Sequence, residues 1–291
     1  MYRVLRPFEY FEPTTVAEVV EILSRYDGKA KVLAGGMDLV PKMRRRDLSP
    51  EYIISLQRVK GLDYVNGDGK TGLQIGALAS LRSVELSPAV VWDYISLYEA
   101  IHQIASVQVK TNGTLVGNLC VATPASDVAT ILMALGATLK VAGTGRVKDV
   151  PIEDFFTGPG RTIMATNEIV TEVSVPEVPP GTGGAFLNLT RVKEDIAKVS
   201  AAVVITTANA VCQTAKIALG AVAPTPLRCH QAEALLTGKK LESIDSELVA
   251  QLAADACTPI TDLRSDAEYR KDMARVLTRR AIERALERAK S

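Results

Sequence analysis

The chain is short of the residues on which most hydrolytic and metal chemistry draws. Its 291 residues include two histidines, His102 and His230, and four cysteines, Cys120, Cys212, Cys229 and Cys257. No two cysteines form a C-x-x-C pair, so local spacing gives neither a zinc knuckle nor an iron–sulfur cluster. Cys229 adjoins His230, but neighbouring side chains point apart and make a poor start for a metal site, so none is expected. Scattered cysteines in a chain of this size fit reduced, mostly buried thiols. Neither histidine sits in a nucleophile elbow or a metalloprotease motif, and each reads as a surface or core residue. An excess of charge is lacking too: 34 Lys+Arg face 33 Asp+Glu, a net charge of +1. That balance argues against a dedicated nucleic-acid or membrane-surface binder, which would need a strongly basic face. No run approaches the ~18 apolar residues of a membrane span. Nor does Met1-Tyr-Arg-Val-Leu-Arg-Pro7 carry the apolar stretch of a signal peptide, so a cytoplasmic protein is the expectation.

What is present is a globular composition, 47% hydrophobic and 23% charged, long enough for one large or two modest domains. Residues 14–26 predict a helix. Thr15-x-x-Glu18 reads as a capping box, and Val16, Val19, Val20 and Leu23 recur at helical spacing. Strands are expected at 31–33, 52–56, 73–77, 139–141 and 169–175. A second helical stripe comprises Leu97, Ile101, Ile104 and Ala105. A loop is expected over 111–126, then a helix over 127–135 capped by Ser126 or Asp127 and stopped by Gly136. Three prolines and three glycines within residues 176–184 mark a joint. Beyond it, strands at 198–208 and 214–223 precede helices at 230–237, 245–256 and 266–289. Met273, Val276, Leu277, Ala281, Ile282, Ala285 and Leu286 share one face of the last helix, and arginines interleaved with Glu283 and Glu287 occupy the other. The order of elements gives a mixed α/β protein in two domains.

One literal G-x-G-x-x-G, Gly67-Asp-Gly69-Lys-Thr-Gly72, is rejected as a dinucleotide fingerprint. That motif must leave a strand and open a helix, whereas Leu73-Gln-Ile75 reads as a strand, so the segment is a hairpin turn. Gly143-Thr-Gly145 fails as well, because Lys148 stands where the third glycine would be. Two other loops are better candidates. Ala34-Gly-Gly-Met-Asp-Leu39 follows a strand directly, and glycine lets a backbone approach a ligand so that N–H groups converge on phosphate oxygens. Gly113-Thr-Leu-Val-Gly-Asn118 has the same capacity, with a hydroxyl and an amide besides. The basic run Lys42-Met-Arg-Arg-Arg46 could help hold ligand phosphates, but reads rather as a solvated or subunit-facing stretch.

Together these segments resemble the FAD-binding medium subunit of the molybdenum hydroxylases, the group of xanthine dehydrogenase and molybdenum CO dehydrogenase. The likeness runs along nearly the whole chain. Phe8-Glu-Tyr-Phe-Glu-Pro13 and the following helix look like the family's opening, and the two glycine loops like its FAD loops. Thr123-Pro-Ala-Ser-Asp127, Phe155-Phe-Thr-Gly158 and Asp195-Ile-Ala197 match further motifs. The resemblance implies a two-part FAD-binding domain of the PCMH/vanillyl-alcohol-oxidase type over 1–176, with subdomains at about 1–57 and 58–176. A C-terminal domain with a small antiparallel sheet and helices would occupy 185–291. It implies that Val32, Leu33, Ala34, Gly35, Gly36, Met37, Asp38 and Leu39, with Thr114, Leu115, Val116, Gly117 and Asn118, wrap the FAD pyrophosphate and ribityl chain. Asp127 would hydrogen-bond the cofactor, Ile104 and Val170 would line its slot, and Ile196 would sit against the isoalloxazine.

The implied partners are an iron–sulfur small subunit with [2Fe–2S] clusters and a molybdopterin large subunit, in a dimer of heterotrimers that delivers electrons to an external acceptor. No catalytic acid–base dyad is implied on this chain, nor any membrane or nucleic-acid partner. The sequence departs from the family pattern at Lys110 and Thr111, which replace Arg-Asn, at Val116, which replaces the first of two paired glycines, and at Asn188, where many relatives have lysine. Two other functions remain open at this stage: a self-contained flavin oxidoreductase of the same fold, and a cofactor-free scaffold subunit.

Overall fold

The computed structural model describes residues 4–290. Its first layer is a small parallel sheet made of β1 (Glu9–Phe11), β2 (Ala30–Leu33) and β3 (Tyr52–Ser55), in the order β1-β3-β2. Parallel neighbours need crossovers, and two helices provide them: α1 (Val16–Arg25) and α2 (Leu39–Arg45). The start of α1 follows from its sequence. Thr15 Oγ1 accepts the Glu18 N–H at 3.2 Å, while the Glu18 carboxylate reaches one residue further back than a standard box, to the Thr14 N–H at 2.7 Å. Val19, Val20 and Leu23 form its buried face, a set of burials worth roughly 1.5–3 kcal/mol each.

A second sheet is antiparallel throughout. Its strands are β4 (Val65–Asp68), β5 (Gly72–Gly76), β6 (Thr138–Gly143), β7 (Arg146–Pro151) and β10 (Ile169–Val175), in the order β4-β5-β10-β6-β7; the two-stranded β8 (Phe156–Gly158) and β9 (Arg161–Thr162) stand apart. The rejected glycine motif is the β4–β5 hairpin, with Asp68 opposite Gly72. Asp68 Oδ1 closes the turn by accepting from the N–H groups of Lys70 and Thr71 at 3.0 and 2.9 Å. Between β5 and β6 runs a string of helices: α3 (Leu81–Leu86), α4 (Pro88–Trp92), α5 (Ile95–His102), α6 (Val107–Asn112), α7 (Leu115–Cys120) and α8 (Asp127–Leu135). One of them, α7, and the last two residues of α6 occupy sequence read as loop. The expected stripe on α5 stops early: Leu97 and Ile101 are buried in the helix, but Ile104 and Ala105 lie past its end, and Ala105 has φ +40°.

The α8 helix is as the sequence requires, capped by Ser126, whose Oγ accepts the Ala129 N–H at 3.0 Å, and ended by Gly136 at φ +74°. Its residues 128–134 are all buried, because one side packs on α5 and another on a third sheet. That sheet has the order β11-β12-β13-β14, from β11 (Thr182–Leu189), β12 (Val199–Ala208), β13 (Val211–Gly220) and β14 (Leu227–Arg228), all antiparallel. After the short α9 (Ile152–Phe155) of the middle segment, the remaining helices cover this sheet: α10 (His230–Leu236), α11 (Ser246–Asp255) and the 24-residue α12 (Ala267–Lys290). The β11 strand was not expected. Its first residues fall in the Pro/Gly-rich joint, and Gly183 is there because a Cβ would lie 2.0 Å from the Ala285 carbonyl of α12.

Two hydrophobic clusters result, one spanning the first two sheets and α8, the other between the third sheet and α10–α12. Glu99 of α5 ties them. Its carboxylate pairs with Arg288 of α12 at 2.6 and 3.2 Å and accepts the Phe186 N–H of β11 at 3.1 Å. Among the described residues no helix is long and apolar enough to cross a membrane.

Candidate functional site

A cleft of about 710 Å³ opens between the parallel sheet and the α6–α7 segment, within the size range of small-molecule and cofactor sites. One wall is the turn from β2 into α2. Gly36 takes φ +74° there, a left-handed conformation that favours glycine. Its neighbour Gly35 is pressed against the opposite wall: a Cβ on Gly35 would stand 2.0 Å from the Asn112 carbonyl oxygen and 2.9 Å from the Gly113 Cα. The two glycine segments, about eighty positions apart in the chain, are therefore in backbone contact.

The opposite wall is built by successive caps. Ser106 starts α6, and the Gly113 N–H closes it on the Val109 carbonyl at 2.7 Å. Thr114 Oγ1 then accepts the Gly117 N–H at 2.9 Å and starts α7. The junction is pinned from behind by the Leu81 N–H to the Gly113 carbonyl at 2.8 Å and the Leu115 N–H to the Ala79 carbonyl at 3.1 Å. This corrects the sequence picture of an open, amide-rich loop. The Gly113 and Gly117 amides are both used internally, and Asn118 Oδ1 accepts from Ser126 Oγ at 2.6 Å. Among the groups this wall can offer a ligand are the Thr114 hydroxyl proton and the Asn118 side-chain N–H₂. Val116, which replaces a glycine of the family pattern, sits in the first turn of α7, a conformation open to any L-residue.

Fourteen of the seventeen expected residues meet at this cleft: Val32, Leu33, Ala34, Gly35, Gly36, Met37, Asp38, Leu39, Ile104, Thr114, Val116, Gly117, Asn118 and Val170. Three do not. Leu115 faces backward and is fully buried in the core. Ile196 is 60% exposed in the connection between β11 and β12. Asp127, the first residue of α8, is off the cleft wall and is held by Asn188, whose Nδ2 donates to Oδ2 at 2.9 Å, while Oδ1 is buried and unpartnered. Burial pushes the Asp127 carboxyl up to about 6, against the pull of the Asn188 hydrogen bond and of the nearby Ser200 hydroxyl.

Sequence reasoning missed Lys31, Cys120, Met164 and Glu168 on the cleft wall. Lys42 lines it too, from the basic run for which the sequence favours a solvated face over a hold on the pyrophosphate. Glu168 is brought by the start of β10. Burial pushes its carboxyl up, but bonds from the Ala165 N–H at 2.9 Å, Lys148 at 2.9 Å and Arg146 at 2.8 Å outweigh that and hold it below the usual range. Cys120, half-buried, has its thiol pushed up to about 12 by burial.

The residues present fit a dinucleotide. The walls are mainly aliphatic, two glycine segments leave no Cβ where they meet, and cations stand at the rim, the arrangement expected where a long ligand is gripped at its phosphates. Comparison with known proteins agrees. Residues 6–178 match the family model described as the FAD binding domain in molybdopterin dehydrogenase, and residues 184–285 match the CO dehydrogenase flavoprotein C-terminal domain. The chain thus has the fold of a flavoprotein oxidoreductase subunit. It is 33% identical to the carbon monoxide dehydrogenase medium chain of Afipia carboxidovorans, with 98% of each chain covered. It is 32% identical to the caffeine dehydrogenase subunit beta of a Pseudomonas species, covering 97% of this chain and 95% of that one. Among solved structures it resembles a chain of the carbon monoxide dehydrogenase of Hydrogenophaga pseudoflava lacking the Mo-pyranopterin moiety, with a TM-score of 0.94, 34% identity and coverage of 98% and 99%. The chain belongs to the family of FAD-binding medium subunits of the molybdenum hydroxylases, and FAD is its cofactor.

Proposed function

We propose that this chain is the FAD-carrying electron-transfer subunit of a molybdenum-containing hydroxylase. Electrons would enter from [2Fe–2S] clusters on a small partner subunit, be supplied by substrate oxidation on a molybdopterin large subunit, and leave to an external acceptor. The observation that carries the reading is the backbone contact of Gly35 with Asn112 and Gly113, which makes one binding cleft from two glycine segments. When bound, FAD supplies a carrier that exchanges electrons singly or in pairs. The protein's part is to hold and orient it. The segments 32–39 and 114–118 grip the pyrophosphate and ribityl chain, with the Thr114 hydroxyl and the Asn118 amide as donors. Ile104 and Val170 exclude water from the slot. Asp127 and Ile196 reach the cofactor from outside the cleft wall, Ile196 from the β11–β12 connection.

The domains divide at 176–185, and the assembly is a dimer of heterotrimers. Four free thiols, three of them buried, are consistent with a reducing, cytoplasmic setting. Co-expression with the neighbouring subunits, followed by flavin, iron and molybdenum analysis of the purified complex, tests the proposal. One FAD per copy of this chain is expected, with iron and molybdenum in the co-purifying subunits. A flavin-free complex, or this chain purifying without metal-containing partners, would refute it.

A further inference from the structure

We propose that the ion pair between Lys110 of α6 and Glu85 of α3 is a positioning device that sets the height of the second glycine segment against the first. The inference rests on the FAD reading above. Lys110 is 3% exposed and Glu85 1%, with Nζ 2.7 Å from Oε1. The Lys110 ammonium also donates to the His102 carbonyl at 3.3 Å, and Glu85 accepts from His102 Nδ1 at 2.9 Å and from Arg82 Nη1 at 2.8 Å. A buried pair of this kind is a poor stabiliser, since taking both charges out of water offsets their attraction, and an apolar pair of equal volume often does as well. What it does supply is direction: a lysine that must reach one carboxylate fixes its helix in register.

The register matters because of what α6 carries. Val109, Gly113 and Thr114 all line the cleft, and Asn112, two residues past Lys110, presents the carbonyl on which Gly35 rests. The α3 helix holds α6 at two points. At its start the Leu81 N–H takes the Gly113 carbonyl, and one turn on, Glu85 takes Lys110. With the first tie alone, α6 can pivot about Gly113, and the pivot moves the Asn112 carbonyl either into Gly35 or away from it. The second tie stops that pivot. Lys110 and Glu85 touch no part of the cleft themselves, so they act through the 112–114 backbone and not on the cofactor.

The test uses the full chain, freed of flavin, with FAD affinity and apo-protein melting temperature measured in parallel. Lys110→Met and Glu85→Gln are each expected to weaken FAD binding at least tenfold. Lys110→Arg, which keeps the charge, is expected to stay within threefold of the parent. The double variant Lys110→Met/Glu85→Leu removes both charges. It is expected to regain the parent's melting temperature while FAD affinity stays at least tenfold down, which a merely structural pair would not do. Parent-level FAD affinity in Lys110→Met, or recovery of affinity together with melting temperature in the double variant, would overturn the inference. Failure of the parent chain itself to bind FAD would overturn the FAD reading, and this inference with it.

Discussion

Asn188, on the edge strand of the third sheet, donates its side-chain N–H to Oδ2 of Asp127, the first residue of α8, at 2.9 Å, and so joins the two halves of the molecule at a buried carboxylate. The other carboxylate oxygen has no partner and is out of contact with water. Burial outweighs the pull of Asn188 and of the nearby Ser200 hydroxyl, and the group holds its proton up to about pH 6 against an ordinary value of 3.8.

With its pKa raised on folding, Asp127 binds more protons in the folded than in the unfolded chain between about pH 4 and 6, so stability falls as pH rises through that window. Glu85, Glu168 and Glu172 act oppositely, since their hydrogen bonds outweigh burial and hold them low. Asp127→Asn isolates the first effect. In FAD-free protein, the variant should exceed the parent in urea stability at pH 7.5 by up to about 3 kcal/mol, the free-energy equivalent of a two-unit shift. That advantage should vanish near pH 4. An advantage equal at both pH values would contradict the assignment.

Cys120 differs from its three fellow cysteines in being only half-buried, and it lies on the cleft wall. A maleimide at pH 8 should modify one thiol per chain in the FAD-free protein, slowly because so little thiolate is present. Saturating FAD should slow that reaction at least tenfold. Mass spectrometry of the modified peptide reads the result, and labelling at Cys120 that FAD leaves unchanged would remove this residue from the site.

Glu99 is the hub of the contact between the two hydrophobic clusters, bound by Arg288, Arg284 and the Phe186 amide. Glu99→Gln leaves Arg288 facing a neutral partner, and losing such charge-assisted hydrogen bonds should cost about 2 kcal/mol. Calorimetry should also show the single unfolding transition broaden or split as the clusters uncouple. A melting temperature within a degree of the parent would show that the tie is dispensable.

How much of this was legible depends on the reach of each signal. The Thr15 cap of α1, the Ser126 and Gly136 ends of α8, and the Asp68 hairpin are written in side chains within four residues of where they act, and sequence finds such things. The short α6 and α7 helices are not, because six residues give less than two turns of periodicity, and Gly113 between them and Gly117 within α7 look like loop. Strand β11 hides for a related reason: Gly183 reads as a joint but answers to the backbone of α12, a hundred positions away. The cleft was legible in its two glycine segments and not in Cys120 or Glu168, which arrive from elements whose own patterns say nothing about a ligand. Asp127 and Ile196 lie outside the cleft lining, and motif likeness alone carries the proposal that they reach the cofactor.

The meeting of the two glycine segments is tested most directly at Gly35. A methyl group there would collide with the Asn112 carbonyl, a backbone atom that cannot swing aside as a side chain would. In Gly35→Ala the walls must part, and relief of such overpacking typically costs 1–3 kcal/mol, roughly a ten- to hundredfold loss of affinity if it falls on the bound state. The decisive measurement is the FAD dissociation constant of Gly35→Ala against the parent, by titration of the flavin-free chain. The account predicts tight binding in the parent and at least tenfold weaker binding in the variant, with the fold retained by circular dichroism. Equal affinity in the two proteins would contradict it.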